Sequence, residues 1–295
     1  MNRRTFLQTT ATALAATALI PSEALAAKRK LRKAIMYSTI GVKGTVLEKF
    51  KAMKAAGFEG VEPMGGLDSQ EVLAALQETG LEAASVCCHT HWAKPLSDPN
   101  PGTRKIGYDG LIQSLKDAKV YGATSVLLVP GDARNGVSYG DCFVRSVAEV
   151  KKAVPVAKDL GVKIAIENVW NNFITTPQQA VEYLDAIDSK WVGWHFDIGN
   201  VGRYSPAETW IPVLGKHILK LHIKEFNTKA MTPEKPGAGF GFKLQEGDND
   251  WPAIMKALDK VGYKGWGISE QPGTQANTVE AASDLAQRMD KIFAL

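Results

Sequence analysis

Three consecutive stretches of the sequence decide the fold: VGWHFDIGN (192–200), SPAETWIPVLGKH (205–217) and ILKLHIKEF (218–226). The first and third are short apolar runs typical of buried strands, and the middle one has the length and apolar spacing of a helix. A strand that is apolar on both faces needs cover on both faces, as in a parallel sheet flanked by helices. These stretches therefore predict a βαβ unit.

The same alternation runs through most of the chain. Glycine before several of the apolar runs, at Gly57, Gly161 and Gly262, is typical of a helix C-terminus. Eight βα units in 295 residues predict an α/β protein with a single domain, a closed (β/α)8 TIM barrel over residues 34–295. The other strand-like runs are KAIMYSTI (33–40), FEGVEPM (58–64), EAASVCCH (82–89), TSVLLVPG (124–131), VKIAIEN (162–168) and GWGISEQP (265–272).

The N-terminus predicts an export signal over residues 1–26. Arg3 and Arg4 precede the short apolar segment ATALAATALI (11–20), and a small-residue cleavage site follows. Paired arginines are typical of the twin-arginine type, with a plain secretory signal as the alternative. We therefore predict a periplasmic or extracellular protein without stable membrane insertion after cleavage, and a basic linker over residues 27–33.

Composition excludes some classes of partner. The formal net charge of +4 is too small for a protein of this size to indicate nucleic-acid binding. The three cysteines, Cys87, Cys88 and Cys142, are odd in number, and two are adjacent in an apolar run. They predict small core residues and no disulfide framework.

Polar residues stand at the ends of most predicted strands. Active sites of TIM barrels form where the carboxyl ends of the strands meet, so Glu167, Asp197, His222 and Glu270 are expected to converge. Three carboxylates with one imidazole form an oxygen-rich set that suits Mn²⁺, Mg²⁺ or Co²⁺ better than a structural zinc ion. The alternative is a buried ion-pair network that involves Lys220 or Lys224.

Four segments resemble the xylose isomerase-like TIM-barrel superfamily, which contains sugar epimerases, hydroxypyruvate isomerases, inosose dehydratases and type IV apurinic endonucleases. They are IAIENVWN (164–171), WHFDIGN (194–200), LKLHIKEF (219–226) and EGDNDWPAIMKALDKVGYKGWGISEQ (246–271). The resemblance to the epimerase branch implies one divalent metal, Mn²⁺ first, with Mg²⁺, Co²⁺ or Zn²⁺ as alternatives. It implies the ligands Glu167, Asp197, His222 and Glu270. It also implies that Glu167 and Glu270 exchange a substrate proton through a metal-stabilised enediolate.

Two departures from the family pattern limit what the resemblance implies. Asn200 stands where epimerases and endonucleases commonly carry a histidine, which argues against a trinuclear zinc site. The arginine that epimerases place shortly after the histidine of the seventh strand is also missing, so the substrate class does not follow from the resemblance. Residues 227–249 form a long loop of the kind found in lids.

The surroundings of the strand ends favour a carbohydrate substrate. We predict a metal-dependent isomerase or epimerase of a sugar. Because the protein is predicted to be exported and sugar phosphates are intracellular metabolites, we expect this sugar to carry no phosphate. The alternatives are a 3-keto-glycoside lyase or dehydratase with the same first step and, less favoured, an endonuclease-type phosphodiesterase or a non-catalytic sugar-binding barrel. A small-molecule sugar is the expected partner, and a homo-oligomer is left open. The candidate substrate-binding residues are Glu62, His89, His91, Trp92, Trp170, His195, Asn200 and Lys224.

Overall fold

Parallel strands alternate with helices along the chain in the computed structural model, which describes residues 30–295. The predicted signal peptide lies outside these residues. The strands are β1 (Leu31–Met36), β2 (Gly60–Glu62), β3 (Glu82–Ala83), β4 (Val86–Cys87), β5 (Ser125–Leu128), β6 (Lys163–Glu167), β7 (Val192–Asp197), β8 (Ile218–Ile223) and β9 (Gly265–Ser269). The helices are α1 (Val46–Ala55), α2 (Ser69–Thr79), α3 (Pro101–Tyr121), α4 (Tyr139–Leu160), α5 (Pro177–Ile187), α6 (Ile198–Val201), α7 (Ala207–Leu214), α8 (Trp251–Lys260) and α9 (Val279–Phe293).

The sheet order is β3-β2-β1-β9-β8-β7-β6-β5-β4, with parallel pairing throughout. Its two ends, β3 and β4, are consecutive pieces of one stretch of chain. Backbone bonds from Ala84 N to Val61 O and from Cys87 N to Pro63 O join this stretch to the segment around β2. The predicted single-domain (β/α)8 TIM barrel is therefore confirmed, with its third strand in two pieces.

The barrel begins earlier than the sequence predicted. Residues 31–33, which we had interpreted as linker, belong to β1 and pair with Gly265, Trp266 and Gly267 of β9. Lys33 points away from the lumen and pairs with Asp290 at 2.6 Å. Arg32 instead lies over the Trp266 ring and pairs with Glu59 and Glu82. The basic composition of this segment therefore reflects ion pairs at a strand terminus.

The alternation of side chains along each strand separates two apolar layers. Outward residues such as Ile35, Trp194 and Phe196 pack under the helices in the larger core. A smaller cluster fills the barrel lumen, made of Ala34, Met36, Ala84, Cys87, Leu127 and Ile268. The inward faces of β7 and β8 carry His195, Asp197, Lys220 and His222. These side chains make the lumen unusually polar.

Helix ends and cysteines follow the sequence-based expectations. Gly57, Gly161 and Gly262 all have positive φ, as a helix C-terminal turn requires. The three cysteines are free and buried. No helix within residues 30–295 combines the length and the apolar composition needed to cross a membrane.

Candidate active site

Four polar side chains meet where β6, β7, β8 and β9 end. Glu167 and Asp197 are the last residues of β6 and β7, His222 is next to last in β8, and Glu270 directly follows β9. The register of the sheet places Asp197 opposite His222. As a result, ligand atoms of all four residues lie within 4.8 Å of one another.

The Nδ1 atom of His222 faces the three carboxylates of this cluster. It lies 2.9 Å from Glu167 Oε1, 3.1 Å from Glu270 Oε2 and 3.7 Å from Asp197 Oδ2. Asp197 Oδ2 is buried and has no hydrogen-bond partner among residues 30–295, while Oδ1 accepts a bond from Asn200 N at 2.7 Å. Three carboxylates, one imidazole and an unpartnered buried oxygen fit a single divalent cation.

Burial governs the electrostatics of the cluster. Burial raises the pKa of Glu167 to about 8, and Glu270 and Asp197 add to the rise. For Glu270, burial also favours the neutral form, but Lys224 and His222 outweigh it and hold the pKa well below its usual range. For His222, burial lowers the pKa, but Glu270 and Glu62 outweigh it and raise the pKa well above its ordinary value. Glu167 and His222 thus both hold their protons more tightly than free side chains do, as expected where carboxylates are crowded in a buried site.

Lys224 supplies part of the compensating charge. Its Nζ lies 2.9 Å from Glu270 Oε2, 3.3 Å from Asn200 Oδ1 and 3.6 Å from Asp197 Oδ2. Lys220, the other lysine considered from the sequence, instead donates to Thr124 Oγ1 at 2.8 Å. Of the two lysines, Lys224 is therefore the one that pairs with the carboxylates of the cluster.

A cavity of about 190 Å³ opens directly above the cluster. Glu167, Glu270 and Lys224 form its polar side, and Trp170 and Phe240 contact each other with ring centroids 4.8 Å apart on its apolar side. Larger surface cavities occur elsewhere, but they do not contact the four clustered residues. The mixed lining suits a small sugar, which presents hydroxyls on some edges and C–H groups on its faces.

The structure separates the eight predicted substrate-binding residues into two groups. Five line the cavity: His91, Trp92, Trp170, Asn200 and Lys224. His91 is buried and accepts a bond from Val129 N at its Nδ1, and Trp92 is 48% exposed at the rim.

The other three do not line the cavity. Glu62 and His195 are completely buried in the lumen beneath His222. The His195 ring lies 4.2 Å from the His222 ring, centroid to centroid. His89 is exposed beside Gly65 and Gly66. Direct contact of Glu62, His195 or His89 with a substrate in this cavity is therefore not supported by the geometry.

Asn168 is a site residue that the sequence reasoning missed. Its Oδ1 accepts bonds from Trp194 Nε1 at 3.0 Å and Asp197 N at 3.2 Å, and its Nδ2 donates to Asp197 O at 2.8 Å. Asn168 thereby fixes the backbone that carries Asp197. The available signal was its position directly after Glu167, since a buried amide at a strand end needs several partners.

Glu225 was also missed, and it organises the loop of residues 227–249. The buried carboxylate accepts bonds from Gln245 N at 2.7 Å, Trp251 Nε1 at 2.9 Å and Asn249 N at 3.3 Å. Two 3₁₀ turns, Thr228–Ala230 and Pro236–Gly241, give this loop its shape, and Phe240 from the second turn reaches the cavity.

Comparison with known proteins agrees with this architecture. The model of the xylose isomerase-like TIM barrel family matches residues 50–292. L-ribulose-5-phosphate 3-epimerase UlaE of Salmonella paratyphi A is 23% identical over 262 residues, which cover 84% of this chain and 89% of that protein.

Two solved structures share the fold. The 3-keto-D-glucoside 4-epimerase YcjR from E. coli has a TM-score of 0.73 and 19% identity, covering 88% of this chain and 100% of that chain. D-allulose 3-epimerase from Methylomonas sp., in complex with D-allulose, has a TM-score of 0.73 and 16% identity. The match covers 89% of this chain and 97% of that chain. All three of these similar proteins are sugar epimerases.

Proposed function

The chain belongs to the xylose isomerase-like TIM-barrel family, and from this premise we propose that it is a divalent-metal-dependent isomerase or epimerase of a non-phosphorylated sugar. The observation that carries the proposal is the cluster of Glu167, Asp197, His222 and Glu270 beneath a cavity lined by polar and aromatic side chains. These four residues would hold the metal. Manganese is our first choice, since most of the donor atoms are carboxylate oxygens.

When bound, a divalent cation would polarise a substrate carbonyl and acidify the neighbouring C–H group. Glu167 and Glu270 both line the cavity and both approach His222 Nδ1. Their pKa values are shifted in opposite directions, Glu167 to about 8 and Glu270 well below its usual range. A bound cation would lower both pKa values, so the roles are assigned from position: two carboxyl groups on one cavity can act in turn as base and acid. We assign Glu167 and Glu270 to remove the substrate proton and to return one.

The remaining lining residues would orient the sugar. Lys224 Nζ lies beside Glu270 and can donate to a substrate oxygen, and the Nδ1 of His91 is already occupied by Val129 N, which leaves Nε2 to the cavity side. Trp92 and Trp170 offer aromatic surfaces to sugar C–H faces. The contact between the Trp170 and Phe240 rings would keep water away from this side of the cavity.

The charge of the cavity supports a substrate without phosphate. Of the described residues that line it, Lys224 is the one lysine or arginine, and its Nζ is already bonded to Glu270 and Asn200. A phosphate group is usually held by several cations or by free backbone N–H groups. The similar structure that acts on 3-keto-D-glucoside supports a keto-glycoside as one candidate substrate.

A 3-keto-glycoside lyase or dehydratase is the second candidate function. Removal of the same proton would then be followed by loss of the group at the β-carbon in place of reprotonation. The position of Lys224 favours this candidate, because an ammonium group beside the cavity can stabilise the departing oxygen. We further propose that the enzyme acts outside the cytoplasm, on the basis of the twin-arginine-type sequence in residues 1–26.

Proton exchange with solvent tests the proposal. The mature protein is loaded with Mn²⁺ and incubated in D₂O with D-allulose, L-ribulose or a 3-keto-glucoside, and ¹H NMR follows the hydrogen next to the carbonyl. Deuterium at that carbon together with an epimer or isomer supports the proposed function, and an unsaturated sugar with release of the substituent identifies the lyase. Absence of exchange in all these keto-sugars, with metal bound, would overturn it.

A further inference from the structure

The carboxylate of Glu62 lies directly beneath the cluster, on the opposite side of the His222 ring. Glu62 Oε2 is 3.0 Å from His222 Nε2, and both side chains are completely buried. The other ring nitrogen, Nδ1, faces Glu167, Asp197 and Glu270. One imidazole therefore joins the carboxylate cluster above to a single carboxylate below.

We propose that Glu62 is the positioning residue that prepares His222 to bind the metal through Nδ1. This inference rests on the metal dependence in the proposed function. With the proton held on Nε2 by Glu62, the lone pair of Nδ1 points at the three carboxylates. A metal-ligating histidine that donates its second N–H to a carboxylate is held in one tautomer and orientation and becomes a more basic ligand.

The strand pairing makes Glu62 a rigid support. Glu62 is the last residue of β2 and pairs with Met36 of β1. Two residues earlier, Gly60 leaves room for the Trp266 side chain, because a Cβ there would lie 2.8 Å from the ring. The backbone that carries Glu62 is therefore fixed both by the sheet and by the packing of the lumen below it.

Within the described part of the chain, His222 is the one hydrogen-bond partner of the Glu62 side chain. Its Oε1 is buried without a hydrogen-bond partner and lies 3.8 Å from His195 Nδ1. Burying a carboxylate is costly unless it is compensated by strong hydrogen bonds or charge. A carboxylate retained at this depth, with one close partner, indicates that its bond to His222 is the reason for its position.

The experiment measures metal binding directly. Co²⁺ is titrated into the purified protein and its visible absorption gives both the dissociation constant and the ligand geometry. The variants are Glu62→Gln, which keeps the shape, and Glu62→Leu, which removes the acceptor. The matched control is Glu149→Gln, since Glu149 is a buried carboxylate on α4 that pairs with Arg104 and Lys152 instead.

We expect Co²⁺ to bind about 10 to 100 times more weakly to Glu62→Leu, with altered absorption bands, and a smaller loss for Glu62→Gln. Glu149→Gln should bind Co²⁺ like the wild type, even where its thermal stability falls. If Glu62→Leu is folded and matches the wild type in affinity and spectrum, the inference is wrong. If Glu62→Leu does not fold, Glu62→Gln decides: unchanged affinity and bands in that variant would equally overturn it.

The outcome is separable from that of the proposed function. Wild-type protein that binds Co²⁺ at these residues but catalyses no exchange in keto-sugars would contradict the proposed reaction and leave the role of Glu62 supported. Wild-type protein that binds no divalent metal at millimolar concentration would overturn the role of Glu62 as well.

Discussion

At the scale of single residues, two glutamates of the candidate site differ in their environment although both face the same cavity. Glu167 is 5% exposed, and burial raises the pKa of this carboxyl to about 8. Glu270 is held ionised by Lys224 and His222 against the effect of burial. The same residue type thus lies in two different electrostatic environments on one cavity.

Replacing either glutamate should remove activity and spare the fold. We expect Glu167→Gln and Glu270→Gln to lower kcat by about 100- to 10,000-fold, the usual contribution of a general acid or base. Their melting temperatures should stay near that of the wild type, because both side chains lie at the mouth of the barrel and not in its apolar core. Circular dichroism and the D₂O exchange assay check both statements. Wild-type exchange in either variant would contradict the assigned roles.

His91 should make the protein sensitive to acid. Burial lowers the pKa of His91 to about 3, so the folded state keeps this ring neutral while an unfolded chain protonates it near pH 6.5. Between these values the unfolded state binds one more proton, and the free energy of unfolding falls by up to about 1.4 kcal/mol for each pH unit below 6.5.

Urea unfolding at pH 7.5, 6.0 and 5.0 measures this dependence. His195, whose pKa is held well below the ordinary value by burial, contributes in the same direction and remains in the variant. We therefore expect the free energy of unfolding of His91→Gln to fall less steeply with acid than that of the wild type. The difference in slope should correspond to at most one proton. Parallel pH profiles for the two proteins would show that His91 protonates in the folded state.

At the scale of elements, one buried carboxylate gathers three hydrogen bonds from the end of the loop of residues 227–249 and the start of α8. Glu225 accepts bonds from Gln245 N, Asn249 N and Trp251 Nε1, so it connects the end of the loop and the start of α8 to the strand segment that carries His222. Phe240 from this loop contacts both Trp170 and Phe226. Arg288 also donates to Leu244 O at 2.8 Å and Gln275 to Phe242 O at 3.1 Å, so this wall of the cavity is held at several points, with Glu225 as its buried anchor.

Loosening this anchor should affect substrate binding more than the chemical step. We expect Glu225→Ala to raise KM and to speed amide hydrogen exchange across residues 240–249, since each lost buried hydrogen bond costs about 1 to 3 kcal/mol. Lys243→Met is the control, because it removes only the exposed pair with Asp284 at 2.8 Å. Unchanged exchange in Glu225→Ala would mean that the remaining contacts of the loop, such as Arg288 with Leu244 O, are enough to hold it.

At the scale of the whole molecule, the barrel depends on small residues that leave room in its lumen. A Cβ at Gly60 would lie 2.8 Å from both the Trp266 ring and the Glu82 carbonyl oxygen. Trp266 in turn lies under Arg32, whose guanidinium is 4.0 Å from the ring centroid. This packing closes the end of the barrel opposite the candidate site.

Filling that space should destabilise the barrel. We expect Gly60→Ala to lower the free energy of unfolding by about 1 to 3 kcal/mol, the usual cost of overpacking. Gly140→Ala is the matched control: nothing lies within 4 Å of its added Cβ in the first turn of α4. There alanine should be neutral or stabilise by up to about 1 kcal/mol. Equal stabilities of the two variants, measured by urea unfolding, would show that the lumen can relax.

The sequence by itself determined the eight βα units, the barrel and the four residues that cluster at its mouth. Each of these follows from local information: apolar runs mark strands, and a polar residue at the carboxyl end of a parallel strand must lie at one edge of the barrel. The break in the third strand and the start of β1 at Leu31 were not predicted, because they depend on pairing with distant strands.

Only the tertiary structure decided which other polar residues share the cavity. The alternation along a strand predicts the face on which a side chain lies, but its height in the lumen depends on the register between strands. His195 pairs with Lys220, one layer below the pair of Asp197 and His222, and is buried there. Glu62 lies on the lumen side of His222 for the same reason, whereas His91 reaches the cavity from a loop. The face on which a side chain lies follows from its own strand, whereas its height in the lumen follows from how the strands of the closed barrel pair.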